Sequence, residues 1–348
     1  MIPRNRLKWI PPELRFAHEL CYYFHDEAVR ALVEAEAVKA DVVTINFPSR
    51  VTADQFSAIA EKEDTIAALR ATGFPDEARR VILNRITMAV VSDCMHHLFE
   101  ALHCFEKRKI VVAFNLLRKP LRDNLLYLAW MLGDEDDFYA KFTSGDPHFL
   151  SGKVVGNHRK AILEKALKQT KVADLINSDR LISIIYDRKN RIGLEGYFQH
   201  AVHLVTVEHI ELKTTPENFN FIFKSHVDDV YHVAYTWLPH VLLFLSHVVV
   251  TLFGRMQQLD PGGETAFLIR SKLAFLLLFR RGPSAFAKSQ LASLIGGKCD
   301  FCKAPVRVTT ANARKMVLSQ QYRCPTCRRI APFPLAWLID PGEIKTVH

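Results

Sequence analysis

The chain has 348 residues, 49% of them hydrophobic, a formal net charge of +9 and a pI of about 9.2. Length and apolar content support a large buried core and more than one domain. Only 14 glycines are present, which disfavours the α/β folds that cradle nucleotides on Gly-rich turns, and the surplus of positive charge points to an anionic partner, nucleic acid first and an acidic membrane surface second.

In chain order, the first predicted element is a helix over about 12–42: Pro11 and Pro12 suit a helix start, and Leu14, Ala17, Leu20, Cys21, Phe24 and Ala28 recur at helical spacing. Charges every few residues and no apolar core in the first twenty positions argue against a signal peptide. Val42 to Phe47 is a short extended run closed by Pro48. Thr52 or Asp54 can cap a second helix ending near Gly73. From Pro75 to about Arg108 the apolar positions Val81, Ile82, Ile86, Val90, Val91, Met95, Leu98 and Leu102 describe a long amphipathic helix.

The next helix, Ile110 to Leu132, ends in a run apolar on every face, so it must be central in a bundle; Gly133 stops it and Asp134 caps a short helix through Phe142. Helices near 157–170 and 172–187 follow. Over 188–222, glycines, β-branched runs and Pro216 break the helical period and predict a loop with one or two short strands. A long helix resumes near 226 and runs to Met256. Its stretch Val233–Phe253 carries no formal charge over 21 residues. Pro239, His240, His247 and the lack of a basic flank favour a buried bundle helix over a membrane span. After the turn at 261–263, a last helix leads to Gly282-Pro283. The expected organisation is a helical bundle over 1–260, a linker helix over 261–285 and a small β domain over 286–348, so the fold class is mainly α.

That last domain carries the sharpest motif. Cys299-Asp-Phe-Cys302 and Cys324-Pro-Thr-Cys327 are separated by 21 residues. Two residues between cysteines let one tight turn aim both sulfurs at one ion, and two such knuckles make a tetrahedral S₄ site that favours structural Zn²⁺. Over about 295–340 the chain resembles the zinc-ribbon class, whose members bind DNA, RNA or proteins. Val306, Val308 and Thr310 on one strand, Met316, Leu318 and Tyr322 on a second, and Ile330–Leu335 as a third are the expected ribbon. The other three cysteines, Cys21, Cys94 and Cys104, stand singly in helical patterns, a usage that reads as a reducing, cytoplasmic setting.

The charge is concentrated in the same region. Residues 286–338 hold nine cations against Asp300 alone, a surplus of eight. Among them Lys303, Arg307, Arg314, Lys315, Arg323, Arg328 and Arg329 are candidate contacts to nucleic-acid phosphate, RNA or DNA. Phe301, Tyr322 and Phe333 either stack on bases or fill the ribbon's own core.

No P-loop, GxGxxG, HExxH or GxSxG motif is present. The densest polar constellation runs from Tyr186-Asp187-Arg188-Lys189-Asn190-Arg191 to Glu195, Tyr197, His200 and His203. An Arg beside a His can bind a phosphodiester and move a proton at its 2′-oxygen; a solvated helix end is the alternative. Glu211-Leu212-Lys213 with Asp187 is half of a metal-dependent nuclease site. Asp134 to Asp137 can bind a divalent ion or simply cap a helix, and His240 and His247 share one helix face. Asn115, Arg118 and Arg122 form a polar stripe that either meets acidic partners inside the bundle or marks a cleft.

Over roughly 75–255 the long bundle helices and the Arg/His cluster resemble the HEPN superfamily, helical-bundle proteins of bacterial toxin and phage-defence systems. Many of its members are metal-independent ribonucleases. The usual Arg-x4–6-His motif is replaced here by Arg191 and His200, eight residues apart. The resemblance implies a ribonuclease with Arg188, Arg191, His200 and His203 as its catalytic set. Three functions are therefore expected to compete: a nucleic-acid-binding protein whose bundle scaffolds or forms a homo-oligomer, a ribonuclease effector, and a protein-interaction adaptor.

Overall fold

The computed structural model describes residues 2–220, 227–279 and 281–332. The helices are α1 (Arg15–Ala37), α2 (Arg50–Lys62), α3 (Thr65–Ala71), α4 (Pro75–Glu106), α5 (Ile110–Arg118), α6 (Leu125–Gly133), α7 (Glu135–Phe142), α8 (Gly152–Gly156), α9 (Arg159–Gln169), α10 (Ser178–Ile185), α11 (Leu194–Val202), α12 (Val227–Met256), α13 (Pro261–Leu276), α14 (Gly282–Leu294) and α15 (Thr310–Ser319). One antiparallel pair, β1 (Gln321–Arg323) and β2 (Ile330–Pro332), sits beside the cysteines, with Tyr322 opposite Ala331. The chain is mainly helical, as its composition and periodicity predict.

The bundle is organised around α1, α4, α6 and α12. α1 packs along α12 and α4, and α6 lies against α9 and α12. Leu125, Leu128 and Ala129 of α6 have no exposed surface, which is why that segment is apolar all round. α5 and α6 are two halves of one helix joined by a π-helical turn over Lys119–Asn124. Pro120 lies in that turn: it brings no N–H to the ladder and its ring crowds the preceding turn, and the wider π-turn absorbs both. Gly133 does more than end the helix. A Cβ there would stand 2.7 Å from the backbone nitrogen of Ala166, so glycine allows α6 and α9 to meet. The last carbonyls of α6 are satisfied by Arg255, which donates to Met131 O at 3.0 Å and Leu132 O at 2.6 Å.

α12 is long and apolar enough to cross a membrane, and 83% of its most apolar window is buried inside the bundle. His247 donates or accepts at Ser271 Oγ, 2.9 Å away, and His240 packs edge-on against Phe275. Burial pushes the pKa of His247 down to about 3 and that of His240 to about 4, so both are neutral packing groups at neutral pH.

A second buried polar group links the N-terminus to the core. Arg6 makes two 2.7 Å bonds to Glu106, and His18, with no exposed surface, spans Tyr235 Oη at 2.6 Å and Glu106 Oε1 at 3.3 Å. Burial lowers the His18 pKa, so the ring is neutral; Nε2–H then donates to Glu106 and Nδ1 accepts from Tyr235. Burial raises the Glu106 pKa, but the hydrogen bonds from His18 and Arg6 outweigh it and hold the carboxyl at about 2. A depressed carboxylate contributes stability above its unfolded pKa and loses it as pH falls through the folded value. Stability should therefore decline between about pH 4.5 and pH 2, and Glu106→Gln should flatten that limb in urea titrations across the range. An unchanged limb in the variant would assign the acid sensitivity elsewhere.

Two local expectations are corrected. Residues 188–222 contain no strand among the described positions. Residues 188–220 form α11 and an irregular loop held by Thr214 N–H to Thr206 O and Asn220 N–H to Leu204 O, both 2.8 Å. The β-branched run Val202–Val207 is mostly exposed and has no partner strand, which is why its propensity does not become a sheet. The cysteine unit is the second case. Where two strands are predicted, 310–319 is helix α15. A capping box, Thr309 with Asn312, starts it, and Ala313, Met316 and Val317 bury one face. The third strand survives as β2, and its expected end at 333–335 lies outside the described residues.

The C-terminal elements share the bundle's core. α15 packs on α13, α14 and α1. Arg270 of α13 forms a buried ion pair with Glu27 of α1, lies 4.6 Å over the Tyr23 ring and meets the side-chain oxygen of Gln320 at the end of α15. The 261–285 segment is thus a structural seam between the bundle and the cysteine unit.

Candidate metal centre and its basic surround

Each CxxC pair closes a knuckle of the same construction. Lys303 N–H bonds Cys299 O at 2.9 Å and Cys299 N–H bonds Ala304 O at 2.9 Å; Arg328 N–H bonds Cys324 O at 3.1 Å and Cys324 N–H bonds Arg329 O at 2.9 Å. The residue after the second cysteine is left-handed in both, Lys303 at φ 58° and Arg328 at φ 63°. That conformation turns the chain back just after the second cysteine of each pair. Glycine would adopt it freely, yet each knuckle carries a cation there.

The four sulfurs lie within 4.8 Å of one another, with Cys299–Cys327 at 3.8 Å and Cys302–Cys324 at 3.7 Å. A tetrahedron with metal–sulfur bonds of about 2.3 Å has edges of about 3.8 Å, so the donor set fits a single tetrahedral ion. The backbone N–H of Thr326 points at Cys324 Sγ from 3.4 Å, a contact that favours the thiolate a metal requires. Cys299 and Cys324 are buried, Cys327 half-buried and Cys302 exposed. Four protein ligands close the site, so such an ion would be structural.

Six of the seven candidate phosphate contacts, Lys303, Arg307, Lys315, Arg323, Arg328 and Arg329, are exposed. Arg314 differs. Its guanidinium donates to Leu277 O at 3.2 and 2.9 Å and lies 4.3 Å over the Phe16 ring, so it fastens α15 to the bundle. Lys315, Arg323 and Arg328 line one groove of 420 Å³ between α15 and the second knuckle, with Asn312, Ser319 and Gln321 among its polar walls and no acidic residue. Tyr322 is 5% exposed and belongs to the core; Phe301 is 48% exposed with Arg329 5.2 Å over its ring. Phe333 lies outside the described residues.

The Arg/His constellation is only partly assembled. Arg188 Nε stands 3.7 Å from the buried Glu195. His200 Nε2 is 2.8 Å from Leu212 O, which fixes its proton on that nitrogen, and burial lowers its pKa. Arg191 and His203 are exposed, and no hydrogen bond or ion pair among the described residues joins their side chains to the other two. Glu211 and Lys213 are exposed and Asp187 caps the turn at Lys189 N–H, 2.9 Å, leaving no paired carboxylates. Asp134 caps α7 through Asp137 N–H, and Glu135 is held by Arg79 and Arg80, so that acidic run is spent on structure. No protein family, HEPN included, and no curated protein or solved structure matches the chain.

Proposed function

We propose that the protein binds nucleic acid through a zinc-stabilised Cys₄ unit carried on a helical scaffold. The observation that carries this reading is the groove lined by Lys315, Arg323 and Arg328 with no acidic residue in its wall, Arg328 holding a left-handed knuckle position. Arg328 stands where glycine would relax the backbone and lines the groove, which suits a phosphate-binding surface; Lys303 Nζ donates to Asp300 O at 2.8 Å within its own knuckle. Zinc is the ion that closed all-thiolate tetrahedra select by softness and geometry. The ribonuclease reading lacks a comparable observation, because His200 is neutral and tied to a carbonyl.

Fluorescence anisotropy with mixed-sequence single-stranded RNA and duplex DNA tests this. Affinity should fall steeply with salt, since each neutralised phosphate releases counterions. Replacing Lys315, Arg323, Arg328 and Arg329 with alanine should flatten the salt slope by up to about one unit for every phosphate left without its cation, while metal content stays unchanged. Arg314 is left in place because its removal would undo the docking of α15. Equal low-salt affinity in the quadruple variant, or no binding by the wild type, would leave the adaptor reading as the better one.

A further inference from the structure

The polar stripe of the α5–α6 helix meets two other elements in the bundle. Arg118 precedes the π-turn that contains Pro120, and Arg122 lies within it. Arg122 Nε is 3.5 Å and Arg188 Nε 3.7 Å from the carboxylate of Glu195, and Arg118 acts on the same carboxylate. Arg159 of α9 lies 4.5 Å over the ring of Tyr186, whose hydroxyl donates to Arg122 O at 2.8 Å. Tyr186 thus links Arg159 to the backbone of Arg122, while Arg122, Arg188 and Arg118 share the Glu195 carboxylate. The carboxylates acting on Tyr186 are Glu195 and Asp123, which leaves an excess of two positive charges.

These groups are close but not mutually satisfied. Both Arg–Glu195 separations exceed the 2.7–3.2 Å of a formed N–H···O bond. Arg118 Nε, Arg122 Nε, Arg159 Nε and Glu195 Oε2 are buried without a hydrogen-bond partner. Glu195 is 1% exposed, and its one side-chain bond comes from Gln199 at 2.9 Å. Buried polar atoms are normally paired, and Arg118 Nε and Arg122 Nε beside the Glu195 carboxylate, with Arg159 Nε on the far side of Tyr186, are cationic donors suited to an anionic acceptor. Burial works against the charged form of Glu195 and the arginines around it work for it; as a carboxylate it competes with any other anion for their donors. The site opens on one side, where the Arg188 side chain is 49% exposed against 17% for Arg122.

We propose that Arg118, Arg122, Arg159 and Arg188 form a second anion site, separate from the cysteine unit, that takes a terminal phosphate group. A phosphate monoester carries a charge of about −1.5 to −2 at neutral pH and three acceptor oxygens, which matches the excess charge and the forked donors. A phosphodiester is a poorer fit, with one charge and a substituent on either side of it. The monoester belongs either to a free mononucleotide or to the 5′ end of a nucleic acid, and the two share the group recognised here.

Calorimetry of the full chain at low salt with inorganic phosphate, AMP and adenosine tests the site. Phosphate should bind with a dissociation constant on the order of millimolar. Arg188→Gln, at a half-exposed position that folding tolerates, should weaken it about tenfold, the effect expected of one charge-assisted hydrogen bond. Glu195→Gln, which removes the competing charge, should tighten it. The Lys315, Arg323, Arg328 and Arg329 variant should bind phosphate as the wild type does, which separates this site from the basic groove. AMP binding above adenosine assigns the site to mononucleotides. A preference for a 5′-phosphorylated over a 5′-hydroxyl RNA tetramer, abolished in Arg188→Gln, assigns it to nucleic-acid ends. No phosphate binding by the wild type at about 10 mM, or wild-type affinity in Arg188→Gln together with Glu195→Gln, overturns the proposal.

Discussion

Cys324→Ser should release the metal ion and unfold the two knuckles with β1 and β2, while the bundle and α15 stay folded. The wild type should hold about one zinc per chain by elemental analysis, and the variant none. The size of the effect follows from how little else holds the knuckles. Their sheet is two strands of three residues each, far below what is stable alone, so the ion's binding free energy, about 10–16 kcal/mol for structural zinc in small peptides, is nearly all of their folding free energy. α15 has other support: Arg314 reaches Leu277 O and Phe16, and Ala313, Met316 and Val317 are buried. Limited proteolysis of the variant should therefore cut within 296–309 and 320–332, and the far-ultraviolet helical signal should change little. A metal-free wild type with intact knuckles would refute the site. Unfolding of α15 along with the knuckles would show that the unit folds as one piece and depends on the ion throughout.

What the sequence made legible was whatever depends on near neighbours. The cysteine spacing places four sulfurs because each knuckle is a local turn, and the all-round apolar end of α6 announces a central helix because no exposed face is left to it. The failures have one physical origin as well. Val306, Val308 and Thr310 alternate over too few residues to define a strand, and the capping box of Thr309 and Asn312 makes Thr310 the first residue of a helix. Arg314 reads as a phosphate contact until its carbonyl partner, 37 residues earlier in the chain, is seen. Glu195 reads as one more solvated acid; its burial depends on α5, α10 and the loop at Leu212, which packs on Gly196. Charge counted along a chain gives the right sign of partner but does not say which cations are already committed.

The knuckle cations allow function and stability to be moved in opposite directions. Lys303→Gly with Arg328→Gly should leave the metal in place and bind nucleic acid more weakly. A left-handed conformation costs an ordinary residue about 1–2 kcal/mol, and glycine adopts it without that penalty. Glycine also frees the unfolded chain, which offsets part of the gain, so the knuckles should be stabilised by between zero and about 1 kcal/mol per site. At the same time two exposed cations are removed, one of them, Arg328, from the wall of the groove that Lys315 and Arg323 line. The salt slope of binding should fall by up to about two units, one for each phosphate that no longer meets a cation. Lys303→Asn with Arg328→Asn provides the control, since asparagine tolerates the same conformation and removes the same charges. Both pairs should weaken binding alike while differing in resistance to metal chelators. If both bind RNA and DNA as tightly as the wild type, the cations do not touch phosphate, and the strain at Lys303 and Arg328 has no part in recognition.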